Sequence, residues 1–184
     1  MKRTQKYFLI LSLFIYPLFI AGCDSINNLP LNVPITFNFE IAGAGNLSTT
    51  HDFCLNQSSS YTENVESIKR LTLLRIIYRT DASDNSVLPE SLEGDFEVII
   101  RRSDTNQILI NTTVSNFRPV DYRKPDKPYE LELSDTERTA INQYLNSNIG
   151  GAACFEGTVS LNNFIGAGYL KGHVDVLIEA EIEL

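Results

Sequence analysis

Apolar and polar residues alternate along most of the chain from Val33 onward. The first alternating segment, from Val33 to Ile41, carries an apolar residue at every odd position. Successive side chains of a β-strand point to opposite faces, so this period of two predicts a strand with one buried face. Pro34 has no backbone N–H to donate, so the strand is expected at a sheet edge or to begin near Pro34.

The same alternation recurs to the end of the chain and predicts a series of further strands. Two alternating segments, 95–102 and 107–117, flank the polar residues 103–106, which is the pattern of a hairpin. The segment 71–78 is apolar at nearly every position, so it is expected to be a central strand that is buried on both faces. The other predicted strands are 52–55, 129–133, 154–164 and 169–184.

The alternation also assigns side chains to faces within two of these strands. In the returning strand of the hairpin, the residues expected to share one face are Ile108, Ile110, Thr112 and Val114. In the last strand, the apolar positions from Val174 onward are expected to face the core. The outward positions of that strand include Glu179, Glu181 and Glu183.

One helix is predicted at about 135–147. Ser134 and Glu137 have the spacing of a capping box, in which each side chain satisfies a backbone donor at the start of the helix. Apolar residues then follow at helical spacing, and Gly150 and Gly151 end the element. The segment 61–69 fits either a short helix or a strand.

Seven or eight strands with one short helix predict an all-β fold, an antiparallel β-sandwich. The predicted sandwich domain covers residues 33–184, and its length is sufficient for one substantial core.

The N-terminus has the pattern of an export signal. Three basic residues lie within the first six positions, and a nearly continuous apolar run extends from 7 to 20. A run of about 14 residues matches the apolar part of a secretory signal peptide and is shorter than the roughly 20 residues that span a bilayer.

The residues after this run resemble the lipobox of bacterial lipoproteins. Ile20, Ala21, Gly22 and Cys23 place small side chains before a thiol that can carry a diacylglyceride. The resemblance implies that residues 1–22 are removed and that Cys23 is acylated and anchors the chain to a membrane of the bacterial cell envelope. The alternative is an uncleaved membrane helix with an incidental cysteine. Which membrane and which face carry the protein stays open.

Residues 23–32 are predicted to be a short tether. The nine residues after Cys23 are polar and turn-forming, and at about 3.3 Å per residue they reach at most about 30 Å. The domain is therefore expected to lie close to the membrane surface.

The charge of the chain excludes nucleic acid as an expected partner. The formal net charge is −8, and all 23 acidic residues but only 12 of the 15 basic ones lie from Cys23 onward. A nucleic-acid-binding protein needs a basic face that neutralises phosphates, which this composition does not provide.

Cys54 and Cys154 are predicted to form a disulfide. If Cys23 carries lipid, two cysteines remain, and the cysteines of exported chains usually form disulfides. The bond requires Cα atoms within about 7 Å. The two strands that carry these residues would then be paired or face each other across the core. Two separate buried thiols are the alternative.

Candidate catalytic chemistry is sparse. The only histidines are His51 and His173, and the chain contains no Gly-x-Ser-x-Gly motif for a hydrolase nucleophile. Neither a CxxC motif nor a His/Cys cluster indicates zinc. No catalytic residue, metal ligand or cofactor is therefore assigned, and the glutamate row of the last strand is expected to be a solvated face.

The most distinctive segment is 118–129, which concentrates basic residues, prolines and tyrosines on an acidic chain. Tyrosine and arginine are enriched at binding hot spots, and proline lowers the entropic cost of ordering a loop. The alternative is a solvated linker. The candidate binding residues are Arg118, Tyr122, Arg123, Lys124, Lys127 and Tyr129.

Two functions therefore remain as hypotheses. The first is a lipid-anchored envelope protein whose sandwich is a binding or structural module, with an envelope protein or a glycan as partner. The second is a periplasmic or surface hydrolase on the same scaffold. A concave cluster of His51 or His173 with a carboxylate and a hydroxyl would favour the hydrolase, whereas an apolar or Tyr/Arg patch would favour binding.

Overall fold

The computed structural model describes residues 28–43, 45–81, 92–123, 127–165 and 168–183. The predicted signal peptide, Cys23 and Lys124 lie outside these ranges.

The described residues form eight strands, two helices and two 3₁₀ turns. The strands are β1 (Asn28–Ala42), β2 (Leu47–Cys54), β3 (Ile68–Thr80), β4 (Glu93–Arg102), β5 (Ile108–Phe117), β6 (Tyr129–Glu130), β7 (Cys154–Ile165) and β8 (Tyr169–Glu183). The helices are α1 (Ser59–Asn64) and α2 (Asp135–Ser147), and the 3₁₀ turns are Leu55–Gln57 and Pro119–Tyr122.

The strands pair into two antiparallel sheets, which confirms the predicted β-sandwich. One sheet has the order β1-β8-β3-β6 and the other has the order β2-β7-β4-β5. Consecutive strands therefore often lie in opposite sheets, and the first and last strands are neighbours. This order of eight strands is that of a jelly roll.

The core lies between the two sheets, where the alternating positions meet. Phe96, Val98 and Ile100 of β4 are buried as predicted, and so are Val174 and Val176 of β8. The core therefore consists mainly of side chains whose inward positions follow from the period of two.

Strand β1 begins five residues before the predicted start at Val33. Its first residue, Asn28, pairs with Glu183 at the end of β8. Leu29 and Leu31 continue the odd-position pattern, and Pro30 is tolerated because β1 is an edge strand. Half of the predicted tether therefore belongs to the sheet.

Register shifts change the predicted faces of two strands. In β3 a shift between Leu73 and Arg75 leaves both Leu73 and Ile76 buried, whereas Leu74 is 40% exposed. In β5 the prediction for Ile108 is wrong: a shift beside it buries Leu109 and leaves Ile108 50% exposed. A bulge inserts one residue, so it reverses the face of every residue on one side of it.

Helix α2 confirms the predicted helix, whereas α1 is a second helix. The segment 61–69, for which the sequence left two alternatives, begins inside α1 and ends inside β3. Six residues are too few to show a helical period, so the pattern could not distinguish the two structures.

Side chains of α2 bind the exposed edge of β3. The Asn142 side-chain oxygen accepts a hydrogen bond from the Leu73 backbone N–H at 2.8 Å. Asn146 accepts from the Leu71 N–H at 3.0 Å and donates to the Leu71 carbonyl at 2.7 Å. Arg138, one turn earlier on the same face, donates to the Leu73 carbonyl at 3.2 Å. The helix thus takes the place of a strand where β6 does not reach.

The start of α2 also reaches the other sheet. Glu137 accepts hydrogen bonds from the Ser134 backbone and hydroxyl, and the Ser134 hydroxyl in turn accepts from the Glu137 N–H. The second carboxylate oxygen of Glu137 accepts from the Asn111 N–H of β5 at 3.1 Å. This predicted capping box therefore joins the helix to the edge of the second sheet.

We expect Ile76→Ala to lower the free energy of unfolding by about 2–5 kcal/mol, because Ile76 is fully buried and its loss leaves a cavity. Glu181→Ala, on the outer face of β8, is the matched control and should change it by less than about 0.5 kcal/mol. Urea unfolding measures both values, and similar effects would contradict the inside–outside assignment.

The Glu137 carboxylate should make the stability depend on pH. Burial by itself raises its pKa, but hydrogen bonds from Ser134 and from the Asn111 backbone outweigh burial and lower the pKa below its usual value. A carboxylate whose pKa is lower in the folded state stabilises the fold at neutral pH, and this contribution is lost as the pH falls through the folded-state pKa.

Glu137→Gln should therefore destabilise the protein more at about pH 7 than at about pH 3.5. Urea unfolding of the native and variant proteins at both pH values measures the difference. An equal difference at the two pH values would show that the carboxylate charge does not matter.

Candidate functional site

Cys54 and Cys154 form a disulfide, as predicted. They are directly opposite residues of β2 and β7, with Cα atoms 4.1 Å apart. The sequence left two arrangements open. Strands β2 and β7 are paired in one sheet and do not face each other across the core. The Tyr144 hydroxyl of α2 donates to the Cys154 carbonyl at 2.9 Å and accepts from its N–H at 3.3 Å.

The two tyrosines of the predicted binding segment belong to an aromatic cluster at one end of the sandwich. Tyr122 stacks on buried Phe117 with ring centroids 4.8 Å apart, and Tyr129 meets the edges of both rings at 5.2–5.3 Å. Phe117 in turn contacts Tyr78 and Phe96. Both tyrosines are half-buried, and this burial raises the pKa of each. Their main observed contacts are with the core.

A buried hydrogen-bond chain holds the start of this segment. The Tyr78 hydroxyl donates to the Thr80 hydroxyl at 2.8 Å, which donates to the Pro119 carbonyl at 2.6 Å. Burial raises the pKa of Tyr78, so its hydroxyl stays protonated. These hydrogen bonds join the 3₁₀ turn Pro119–Tyr122 to β3. A solvated linker would not need such a buried contact.

The basic residues Arg118, Arg123 and Lys127 differ in their ion pairs and in their burial. Arg118 forms ion pairs with Glu93 at 4.0 Å and with Asp121 at 3.8 Å. Arg123 is half-buried, and Lys127 is exposed. Of the predicted binding residues that the structure describes, Tyr122 and Tyr129 are in direct ring contact with each other.

The two histidines lie in different surroundings. The Nδ1 atom of His173 is 2.9 Å from an Asp81 carboxylate oxygen, and its Nε2 atom is 3.7 Å from Asp175. The Thr36 hydroxyl donates to Asp175 at 2.6 Å. The Thr36 hydroxyl is thus directed at a carboxylate and not at the imidazole, which gives no support to this hydroxyl as a histidine-activated nucleophile.

His51, on β2, has a threonine hydroxyl as its neighbour. Its Nε2 atom is 3.4 Å from the Thr49 hydroxyl, and its ring is 6.1 Å from that of Phe37. Asp52 is exposed on the opposite face of the strand. Among the residues that the structure describes, no carboxylate joins Thr49 and His51 in the three-group arrangement expected of a hydrolase.

The glutamates of β8 point outward, as predicted. Glu183, at the end of the row, pairs with Lys69 at 2.6 Å, which lowers the pKa of Glu183. Within the part of the chain that the structure describes, no group of three or more His, Cys, Asp or Glu side chains could hold a metal ion.

A groove between α2 and the β4–β5 hairpin was not predicted. It consists of two adjoining depressions of about 230 and 350 Å³ that share Ala140 and Gln143. The first is also lined by Arg102, Gln107, Leu109, Tyr144 and Ser147, and the second by Asp135, Thr136 and Thr139. The first depression lies between α2 and the β4–β5 hairpin, so no contiguous motif could have indicated it, whereas every residue that lines the second belongs to α2.

The positive charge of Arg102, which lines the groove, is compensated by the neighbouring Asp104 carboxylate. The Arg102 guanidinium donates two hydrogen bonds to Asp104, at 2.9 and 2.7 Å, and this contact lowers the pKa of Asp104. The same guanidinium lies 4.4 Å over the Tyr144 ring. Arg102 therefore covers the ring of the buried Tyr144, and its charge is compensated by Asp104.

None of the helices in the described ranges is long and apolar enough to cross a membrane.

The comparisons with known proteins show similarity of fold alone. No protein-family profile and no curated protein matches the chain. Solved structures of Desmodium yellow mottle tymovirus and tobacco necrosis virus are 9% and 12% identical, with TM-scores of 0.40 and 0.41. They cover 85% and 86% of this chain, which spans 89% and 97% of theirs. A likeness this weak carries no argument about function.

We expect Tyr122→Ala to lower the free energy of unfolding by about 1–3 kcal/mol, because the ring packs on Phe117 and Tyr129. Lys127→Ala is the control in the same segment, and its exposed side chain should contribute less than about 0.5 kcal/mol. Thermal unfolding followed by circular dichroism compares the two variants. If Tyr122→Ala leaves the free energy of unfolding unchanged, the ring does not stabilise the fold and remains a candidate for binding.

Proposed function

We propose that the chain is a lipid-anchored protein of a bacterial cell envelope whose sandwich serves as a binding or structural module. The observation that carries this proposal is the basic start, the apolar run of 7–20 and the lipobox that ends at Cys23. The Cys54–Cys154 disulfide supports it, because disulfides persist in oxidising, exported compartments.

The anchor selects the end of the sandwich that faces the membrane. Strand β1 begins at Asn28, five residues after Cys23, and five residues reach at most about 18 Å. Strand β2 of the other sheet has 8 residues to the 15 of β1 and ends at Cys54, so the disulfide lies near the middle of β1, where Phe53 stacks on Phe37. The β4–β5 turn lies there as well, since Arg102 pairs with Phe155 next to Cys154.

The opposite end of the sandwich is then directed away from the membrane. Strand β1 has 15 residues, which at about 3.3 Å per residue separate its two ends by roughly 45–50 Å. Strand β5 ends there at Phe117, followed by the exposed Arg118. Arg118 and the 3₁₀ turn Pro119–Tyr122 are therefore presented where a partner in the envelope can reach them, which supports the predicted role of Arg118 in binding.

Cys23→Ala should leave an uncleaved precursor without fatty-acid label, because no other thiol follows the small residues of the lipobox. Labelled palmitate and the gel mobility of the chain, expressed in a bacterium, measure both effects. Ser25→Ala, which keeps the lipobox intact, is the control and should be labelled and cleaved normally. Normal labelling of Cys23→Ala would refute the anchor.

A further inference from the structure

We propose that the outer edge of β1 pairs with the same edge of a second copy of this chain. The two strands run antiparallel about a two-fold axis, and the sheets that contain them join into one. This pairing goes beyond the proposed function. It depends on the free backbone groups of β1, on the register of β1 with β8 and on the positions of the prolines in β1.

Alternate residues of β1 direct their backbone groups away from β8. The register is continuous, and just beyond it the Gly43 N–H donates to the Gly168 carbonyl at 2.9 Å, so the odd residues of β1 bond to β8. The even residues therefore face the open edge of the sheet. Pro30 and Pro34, which have no N–H to donate, are both even, which agrees with this assignment.

The second half of β1 is an open template for a further strand. Its outward N–H groups belong to Thr36, Asn38, Glu40 and Ala42. Within the described ranges, neither these N–H groups nor the carbonyls of the same residues have a hydrogen-bond partner. Prolines protect an edge against pairing, but in β1 they lie only before Thr36.

A two-fold axis at Asn38 gives each of these outward groups a partner. The N–H groups of residues 36, 38, 40 and 42 then meet the carbonyls of residues 40, 38, 36 and 34 of the other copy, about eight hydrogen bonds in all. An axis at Phe39 would offset the two Glu40 carboxylates along the strands by only about 7 Å, whereas the axis at Asn38 offsets them by about 13 Å. Repulsion between the carboxylates therefore favours the axis at Asn38.

The side chains across this axis also match. On the core-facing side, Phe37 would lie opposite Phe39 of the other copy, and both are buried in their own sandwich. On the outer side, Thr36 would lie opposite Glu40 of the other copy, and the two exposed Asn38 side chains would face each other. Apolar pairs and hydrogen-bonding pairs at directly opposite positions stabilise antiparallel strands.

The other sheet edges suit such pairing less well. Helix α2 and β6 cover the opposite side of the sandwich, where the Asn111 N–H of β5 already donates to Glu137. In β2, the edge strand of the second sheet, Thr49 and His51 occupy core-facing positions. Polar side chains that point inward at an edge oppose pairing between copies.

Antiparallel pairing separates the two N-termini. Asn28 of one copy would lie opposite position 48 of the other, so the two Asn28 residues would be roughly 65 Å apart along the strands. Two chains that are anchored as proposed above would then pair when they are attached to facing membrane surfaces. Pairing in detergent solution does not require that arrangement.

Sedimentation equilibrium of the full chain, in a density-matched detergent and over a wide range of protein concentrations, tests the proposal. We expect a reversible equilibrium between monomer and dimer. A monomer at every concentration, or an assembly that grows beyond the dimer, would overturn it.

Asn38→Pro locates the contact at the edge of β1. It removes the outward N–H at the axis and leaves the hydrogen bonds to β8 intact, and Pro34 already occupies an equivalent position. Loss of two hydrogen bonds from the dimer should raise its dissociation constant at least about tenfold. An unchanged dissociation constant would overturn the proposal.

Asn38→Asp is the second variant, because it keeps the size of the side chain. It places two carboxylates opposite each other at the axis and should raise the dissociation constant about threefold. Asn32→Asp, at an exposed position of the same strand outside the pair, is the matched control and should leave the constant unchanged. Equal effects of the two substitutions would contradict the axis at Asn38.

Discussion

Hydrogen bonds from helix α2 close one open side of the sandwich, and the arrangement of the surrounding elements follows from them. Within the described ranges, the partner strand of β3 on that side is the two-residue β6. Asn142 and Asn146 satisfy the backbone of β3 where no strand does, and Glu137 does the same for one N–H of β5. Unpaired backbone groups at a sheet edge cost free energy if they are shielded from water and recruit other strands if they are exposed.

This closure also creates the features with functional interest. Because α2 is held against both sheets, Tyr144 reaches the backbone of Cys154 and contacts Arg102. The groove is the space left between the helix and the β4–β5 hairpin, and Gln143 points into it from the same helix. The disulfide, the groove and the closed edge are therefore parts of one assembly around α2.

The errors of sequence interpretation occurred where contacts between distant residues decide the outcome. Ile108 fits the alternating pattern but lies beside a register shift, which exposes it. The packing of Tyr122 and Tyr129 on Phe117 was likewise not predicted, although their role in binding stays a prediction. Asn28 belongs to β1 because β8 is long enough to pair with it.

The sequence by itself determined the all-β class, most strands and the start of α2, because alternation and the Ser134–Glu137 capping box act between neighbours in the chain. It also indicated the Cys54–Cys154 disulfide, by elimination, and the lipobox at Cys23. Only the tertiary structure decided the strand order, the bulges, the closed edge and the groove. These depend on which backbone groups and side chains meet across roughly 30–100 residues of chain, and no local period records such contacts.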